Sequence, residues 1–451
     1  MIETTEPKTK STSILELNLG IDFGTSFTKV CFRNAGTEQS EIVSFGRSAE
    51  DALVPSIVSI NSNGVLNLYG EHNETDCVDY RYLKMYLAGF PTVGGKRCQG
   101  VNLNDDAVIR ALCSWFLAKI IVKAKEWIKI NRKDLLLGRG IHWSANVGVP
   151  VEHCDSNRIK SFEEVFCVGW HWAESGMLPS DLQMLMKRYE DDICTISNEK
   201  IDCHAIPELS AAIQSFVISR EAQEDVYMYF DIGGGTVDGV SFNFFASDGE
   251  KNVNFYAGKV GELGVSAVSN SFGEDADKVK SILTAKSATE LQAKLMEFAS
   301  SCELLDKKRL DLQKIVGYVI AEFRRKDPLK VFGNPAGPIQ SKDNRLIVFI
   351  GGGGIGSEWY KNAIDCTHRE FAHKSIKIPP YELRETPYPT DFKLNGVARK
   401  DYHRFAIAYG LSIPYGEGPD TALPSKMDPV EVQKPRNPTV PNYLDSKDTY
   451  D

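Results

Sequence analysis

The apolar residues of this chain keep two rhythms, and the order in which they alternate predicts a mixed α/β fold. Segments such as "ELNLGIDFG" (16–24), in which apolar and polar residues alternate, "FTKVCFRN" (27–34), "SIVSIN" (56–61) and "VLNLYGE" (65–71) read as early strands joined by turns. Alternation puts successive side chains on opposite faces of a strand. "IHWSANVGVPVE" (141–152) reads as a further strand broken at Pro150, because proline has no N–H to give a ladder. "VYMYFDIGGGTVDGVSFNFF" (226–245) reads as strand, tight turn and strand, and residues 251–267 as another strand with a glycine-bearing loop. The period lengthens to that of a helix at 106–130, 156–173, 206–222 and over most of 272–330. "RLIVFIGGGGIGSEWYKNAI" (345–364) predicts a strand, a glycine loop and a helix, and "RFAIAYGLSI" (404–413) a last short helix. Strands interleaved with helices in this way indicate the α/β class.

Length changes the picture first. A chain of 451 residues is long for a single core, so two domains of about 150 to 200 residues each are expected. The residues up to Glu16 and the proline- and charge-rich stretch after Pro414 lack apolar periodicity and are expected to stay loose. The helix at 106–130 is the most apolar, but Arg110, Lys119, Lys123 and Lys125 interrupt it. It is therefore read as a helix buried on most of its sides rather than a membrane span.

Charge and composition exclude some functions. The net charge of −9 is spread along the chain, which argues against a basic nucleic-acid footprint. The first dozen residues are polar and have no apolar signal core, so a cytoplasmic protein is expected. The ten cysteines include no C-x-x-C pair. Cys154 follows His153 and Cys203 precedes His204, but sequence neighbours point apart, so reduced thiols are expected here rather than zinc ligands.

The chemistry is concentrated in two units of one design, "GIDFGTSFTKV" (20–30) and "FDIGGGTVDGVSF" (230–242). Each ends a strand on an aspartate and follows it with glycine and a hydroxyl residue in a tight turn. Glycine lets the backbone take positive φ and lets a ligand approach the main chain. Successive N–H groups in such a turn make a concave anion site, to which Thr25, Ser26 and Thr236 can add hydroxyl donors. An aspartate beside a phosphate needs a cation between them, so Asp22 and Asp231 suggest Mg²⁺ held through water. Either unit alone is commonly only a hairpin. A second copy, and a third glycine loop "VFIGGGGIGS" (348–357) running into a helix whose N–H groups can meet a phosphate, strengthen the nucleotide reading.

This set resembles the ATPase superfamily of actin, sugar kinases and heat-shock chaperones, and most of all the nucleotide-binding domain of DnaK-type chaperones. The first unit resembles that family's first phosphate loop, the second its second phosphate loop almost residue for residue, and "IGGGGIGS" its adenosine loop. "LVPSIVSI" (53–60), "NVGVPVEHCDSNRIKSFEEVF" (146–166), "PELSAAIQSF" (207–216), "YAGKVGELGVSAV" (256–268) and "RFAIAYGLSI" (404–413) resemble further family segments in the right order. The likeness runs over roughly residues 17–413, with low identity outside the loops.

The resemblance implies a two-lobed actin-like fold, each lobe built on a ribonuclease-H-like mixed sheet, with ATP or ADP and Mg²⁺ in the cleft. It implies a flexible N-terminus (1–16), lobe I (17–217), lobe II (218–413) and a disordered tail (414–451). By position, Asp22 and Asp231 would hold metal-bound waters. Gly24, Thr25, Ser26, Gly233, Gly234, Gly235 and Thr236 would hold phosphates, and Gly351, Gly352, Gly353 and Ser357 would touch the nucleoside. Glu208 would act on the metal and its water shell, and Asp238 would help position the attacking water. The family's catalytic lysine matches Lys84 in "YRYLKMYLAG", with Arg81 as a weaker candidate.

The chain also departs from the family. The peptide-binding sandwich, the lid and the hydrophobic linker are not seen after Ser412, and the outer part of lobe II is expected to be reduced. "IAEFRRKDP" (320–328) is the candidate for the basic residues that grip adenine. The function expected is a slow Mg²⁺-dependent ATPase whose lobe motion switches an unidentified protein partner. An ATP-dependent actin-like filament and a nucleotide sensor without turnover remain open. A small-molecule kinase is disfavoured by the chaperone-like form of the second loop.

Overall fold

The computed structural model describes residues 14–46, 48–71, 76–90, 101–154, 156–196, 201–298, 302–326, 346–370 and 381–426. Two mixed sheets carry the fold. In the first, β1 (Ile14–Phe23), β2 (Phe27–Asn34) and β3 (Gln39–Ile42) form an antiparallel meander, and β4 (Gly140–Val149) and β5 (Cys203–Pro207) extend it in parallel on the other side of β1. The second repeats that plan. β6 (Asp225–Ile232), β7 (Val237–Ser247) and β8 (Glu250–Gly261) form the meander, and β9 (Leu346–Gly351) and β10 (Tyr381–Glu385) add in parallel beyond β6. The expected α/β class is thus what is observed.

Parallel strands need a crossover between them, and helices supply it. A single turn, α1 (Leu83–Leu87), precedes the long α2 (Asp106–Asn131), which packs with α3 (Ile159–Ser175) on the first sheet. Trp115, Phe116, Phe162 and Phe166 meet Leu17, Leu19 and Ile21 of β1 there. The helix α2 is buried on most of its sides, as its composition predicts. No described helix is long and apolar enough to cross a membrane. A short α4 (Glu208–Ala212) follows β5 directly, and α5 (Val265–Asn270) and α6 (Ala276–Leu283) follow β8. On the second sheet, α7 (Cys302–Lys326) and α8 (Glu358–Glu370) pack against Met228 and Phe230 through Val316, Val319, Phe323 and Ile364.

The last helix, α9 (Ala406–Ser412), ties this arrangement together. It lies so close to β1 that a side chain at Gly20 would meet Ser412 N at 2.2 Å and Ala408 O at 2.3 Å. The carbonyls at its C-terminal end, which lack helical partners, are met by two buried asparagines. Asn18 Nδ2 donates to Leu411 O (3.1 Å) and Ser412 O (2.9 Å), and Asn146 Nδ2 donates to Leu411 O (2.9 Å) and Ile413 O (2.7 Å). On its other side α9 meets α4, where a Cβ at Gly410 would lie 2.0 Å from Ala211 O. Backbone cannot swing aside as a side-chain tip can. Gly410→Ala is therefore expected to destabilise the fold by about 1 to 3 kcal/mol; thermal unfolding of the variant checks this.

Three expectations need correction. The predicted helix at 206–222 starts only at Glu208, because residues 203–207 are drawn into the parallel ladder with β4, and it is two short pieces, Glu208–Ala212 and Gln214–Val217. The N-terminus expected to be flexible through residue 16 is already in β1 from Ile14. The tail expected to be disordered from 414 continues in place. Tyr415 stacks on His204, Asp420–Ala422 pairs with Asn252–Asn254 of β8, and Lys326 Nζ donates to Pro424 O at 2.6 Å. Residues 427–451 lie outside the described residues.

Candidate active site

The turn after each leading strand opens onto one cavity of about 710 Å³, lined by both sheets' loops. The second turn shows how backbone geometry turns a row of amides outward. Three successive amides at the start of α5 take its carbonyls: Gly264 N donates to Gly235 O (3.1 Å), Val265 N to Gly233 O (3.1 Å) and Ser266 N to Gly234 O (2.7 Å). A trans peptide holds its N–H opposite its C=O. The N–H groups of Gly234, Gly235 and Thr236 therefore point away from α5. The close approach needs glycine, since a Cβ at Gly264 would sit 2.6 Å from the carbonyl carbons of Gly234 and Gly235.

The first turn is buttressed by one serine. Ser56 Oγ donates to Gly24 O (2.7 Å) and Ser56 N to Ser26 O (3.0 Å), while the Ser56 hydroxyl also meets Thr28 Oγ1 at 2.9 Å. By the same peptide argument the N–H of Thr25 is turned the opposite way. The two turns touch: a Cβ at Gly234 would lie 2.1 Å from Ser26 Oγ, and one at Gly235 would lie 2.6 Å from Thr25 Cγ2.

Register decides the charge. In β1–β2, Asp22 stands opposite Lys29 and pairs with its ammonium at 2.6 Å. In β6–β7, the equivalent partner of Asp231 is Asp238, and like charges directly opposite destabilise a ladder. Glu208, at the first position of α4, lies over Gly148, where a Cβ would meet Glu208 Cγ at 2.5 Å, and pairs with Lys84 of α1. Lys29 pairs with Asp22 and Lys84 with Glu208, which leaves Asp231 and Asp238 outside any ion pair among the described residues, while Arg81, Asp277, Lys280 and Arg404 also line the cavity.

The surplus negative charge shows in the ionisation of these groups. Burial, with the charge of Asp22 and then Glu208 added, pushes Asp231 up to about 7. Burial and then Glu208 push Asp238 well above the ordinary carboxyl range. Glu208 is also raised by burial, against the pull of Lys84. Burial works against the Lys84 ammonium, but Glu208, Asp22 and Asp238 outweigh it and hold it charged.

This donor set fits a hydrated cation. Asp231 Oδ1 and Asp238 Oδ1 are enclosed and have no hydrogen-bond partner, and unpaired buried acceptors of this kind call for a proton, water or an ion. Among the described residues no three histidine, cysteine, aspartate or glutamate side chains converge to hold a metal by themselves. Mg²⁺, which keeps much of its water shell and prefers phosphate oxygens, could be held by Asp22 and Asp231 through that shell. The Cys–His neighbours at 153–154 and 203–204 form no such group either.

Most residues singled out from the sequence line this cavity: Asp22, Gly24, Thr25, Ser26, Lys84, Glu208, Asp231, Gly233, Gly234, Thr236, Asp238, Gly352 and Gly353. Three do not. Gly235 makes room for Met85 Sδ as well as Thr25, and Gly351 makes room for the Tyr229 hydroxyl. Ser357 is buried and its hydroxyl caps α8, accepting from Tyr360 N at 3.3 Å, so it is not turned to a nucleoside. Thr236 donates its hydroxyl to Asp238 at 3.2 Å. Arg81 is exposed, pairs with Asp79 and lies over the Tyr69 ring, which leaves Lys84 as the buried lysine. Arg324 and Arg325, the adenine candidates, stand on α7 away from the cavity, and Arg325 pairs with Glu322. Lys280 and Thr284, at the end of α6, line it instead.

Lys29 and Ser56 also line the cavity and were not singled out from the sequence. The signal for Lys29 was present: it follows Asp22 by the spacing that separates Asp238 from Asp231. No protein-family model matches this chain, and no curated protein matches it.

Proposed function

We propose that the protein binds Mg²⁺ and ATP in this cavity and hydrolyses the nucleotide slowly, as a two-lobed actin-like ATPase akin to the nucleotide-binding domain of DnaK-type chaperones. One observation carries the reading: two glycine turns with outward-facing amides share a cavity with a surplus of enclosed carboxylate. Its volume of about 710 Å³ suits a nucleotide, since such sites span about 300 to 1,000 Å³.

The chain's own groups divide the work. Amides of the two turns bind phosphate oxygens from opposite sides. Mg²⁺, if held by Asp22 and Asp231, would supply positive charge to offset the charge developing on the transferred phosphoryl group. Asp22 and Asp231 fix its water shell. Lys84 holds Glu208 in place and presents positive charge to the phosphates. Asp238, oriented by Thr236, and Glu208 align a water for attack and receive its proton. The two sheets carry one turn each, so closing on the nucleotide changes the angle between them, and a protein partner reads that angle.

Calorimetric titration with ATP, with and without Mg²⁺, followed by phosphate release, tests the proposal. Mg²⁺-dependent binding and turnover below about 1 s⁻¹, the low end for enzymes, are expected. No nucleotide binding under either condition overturns the assignment.

A further inference from the structure

Tyr82 has a backbone conformation that its side chain disfavours. Its φ is 62° and its ψ 27°, the left-handed region where a bulky residue is a genuine outlier. Such a conformation persists only where its surroundings hold it, and here they do so twice. The Tyr82 carbonyl starts α1 by accepting from Met85 N (2.9 Å) and Tyr86 N (3.1 Å). Its hydroxyl reaches over the cavity rim and accepts a hydrogen bond from Asn270 Nδ2. Both residues line the cavity.

The two attachments belong to different walls. The single turn of α1 carries Lys84 to Glu208 and sets Met85 Sδ under Gly235. Asn270 is the last residue of α5, whose first amides grip the second turn. A rotation of one sheet against the other must therefore break the Tyr82–Asn270 bond or drag α1, and Lys84 with it.

We infer that Tyr82 is a positioning residue that latches the two walls of the cavity and so sets the rate at which bound nucleotide leaves. This rests on the nucleotide reading above and adds to it the control of release.

Dissociation of a fluorescent ATP analogue with Mg²⁺ is measured by chase with unlabelled ATP in the full chain, Tyr82→Phe, Asn270→Ala and the double variant. Tyr82→Phe keeps the ring and loses only the hydroxyl. Each single variant is expected to release nucleotide about three to ten times faster, the range of one hydrogen bond. The double variant is expected to be no faster than the singles, since both remove the same contact. A merely structural role would instead lower the melting temperature and leave the release rate unchanged. Nucleotide bound and released at the unaltered rate by both single variants overturns the latch alone. Failure of the unsubstituted protein to bind the analogue overturns the nucleotide reading, and the latch with it.

Discussion

Asp231→Asn is expected to stabilise the ligand-free protein at neutral pH and to remove the proposed ATP hydrolysis. The side chain stands opposite Asp238 and has an enclosed, unpartnered Oδ1, and its carboxyl is pushed up to about 7. An unfolded aspartate titrates near 3.9. Between about pH 4 and 7 the folded chain holds a proton that the unfolded chain has released, so stability falls as pH rises through that window and stays lowered above it. Asparagine carries no such penalty. The residue as a whole is only half-buried, so solvent screens part of the effect, and a gain of about 1 to 2 kcal/mol is expected. The gain should vanish below about pH 4. Phosphate release should fall at least about 100-fold, as when one preorganised electrostatic partner is removed. Thermal unfolding against pH, alongside phosphate release, checks both halves; a variant less stable at pH 7.5 and still active contradicts the assignment.

Lys84→Met has the opposite sign in stability and the same sign in activity. It leaves Glu208 buried beside Asp22 and Asp238 without its ammonium partner. Breaking one side of a buried pair costs about 3 to 5 kcal/mol. Because burial already raises the Glu208 carboxyl, the loss should shrink as pH falls and the acid takes up a proton. The double variant Lys84→Met/Glu208→Gln should recover most of the stability and none of the hydrolysis. If the single variant keeps normal phosphate release, Lys84 has no part in the chemistry.

The paired turns were legible in the sequence because their chemistry is local: an aspartate ending a strand, then glycine and hydroxyl residues, fixes a hairpin with exposed amides. The long strands and α2, α3 and α7 were legible for the same reason, since their apolar period repeats over many residues. What failed depended on distant partners. "QSEI" and "YELRE" carry little alternation and become β3 and β10 only by ladder pairing at the sheets' flanks. The helix Leu182–Ile196 was not foreseen, although Leu182, Leu185, Met186, Tyr189, Ile193 and Ile196 keep a helical spacing and pack on the first core. Ser357 was assigned to a ligand although a serine just before "EWY" is also a helix-start signal. Lys29 and Asp238 took their meaning from cross-strand register, which turn length sets. Nothing in "ADKVKSILT" marks Lys280 and Thr284 as lining the site.

The strand Asp420–Ala422 has a bearing on how the molecule behaves in solution. It runs parallel along Asn252–Asn254 at the outer flank of β8, where Ser210 also meets Thr421. Without it those backbone amides and carbonyls would lie bare, and a bare sheet margin is a template on which other copies can stack. The segment that follows α9 is therefore expected to protect against aggregation, and shortening the chain to Ile413 would trade a trimmed tail for a sticky border.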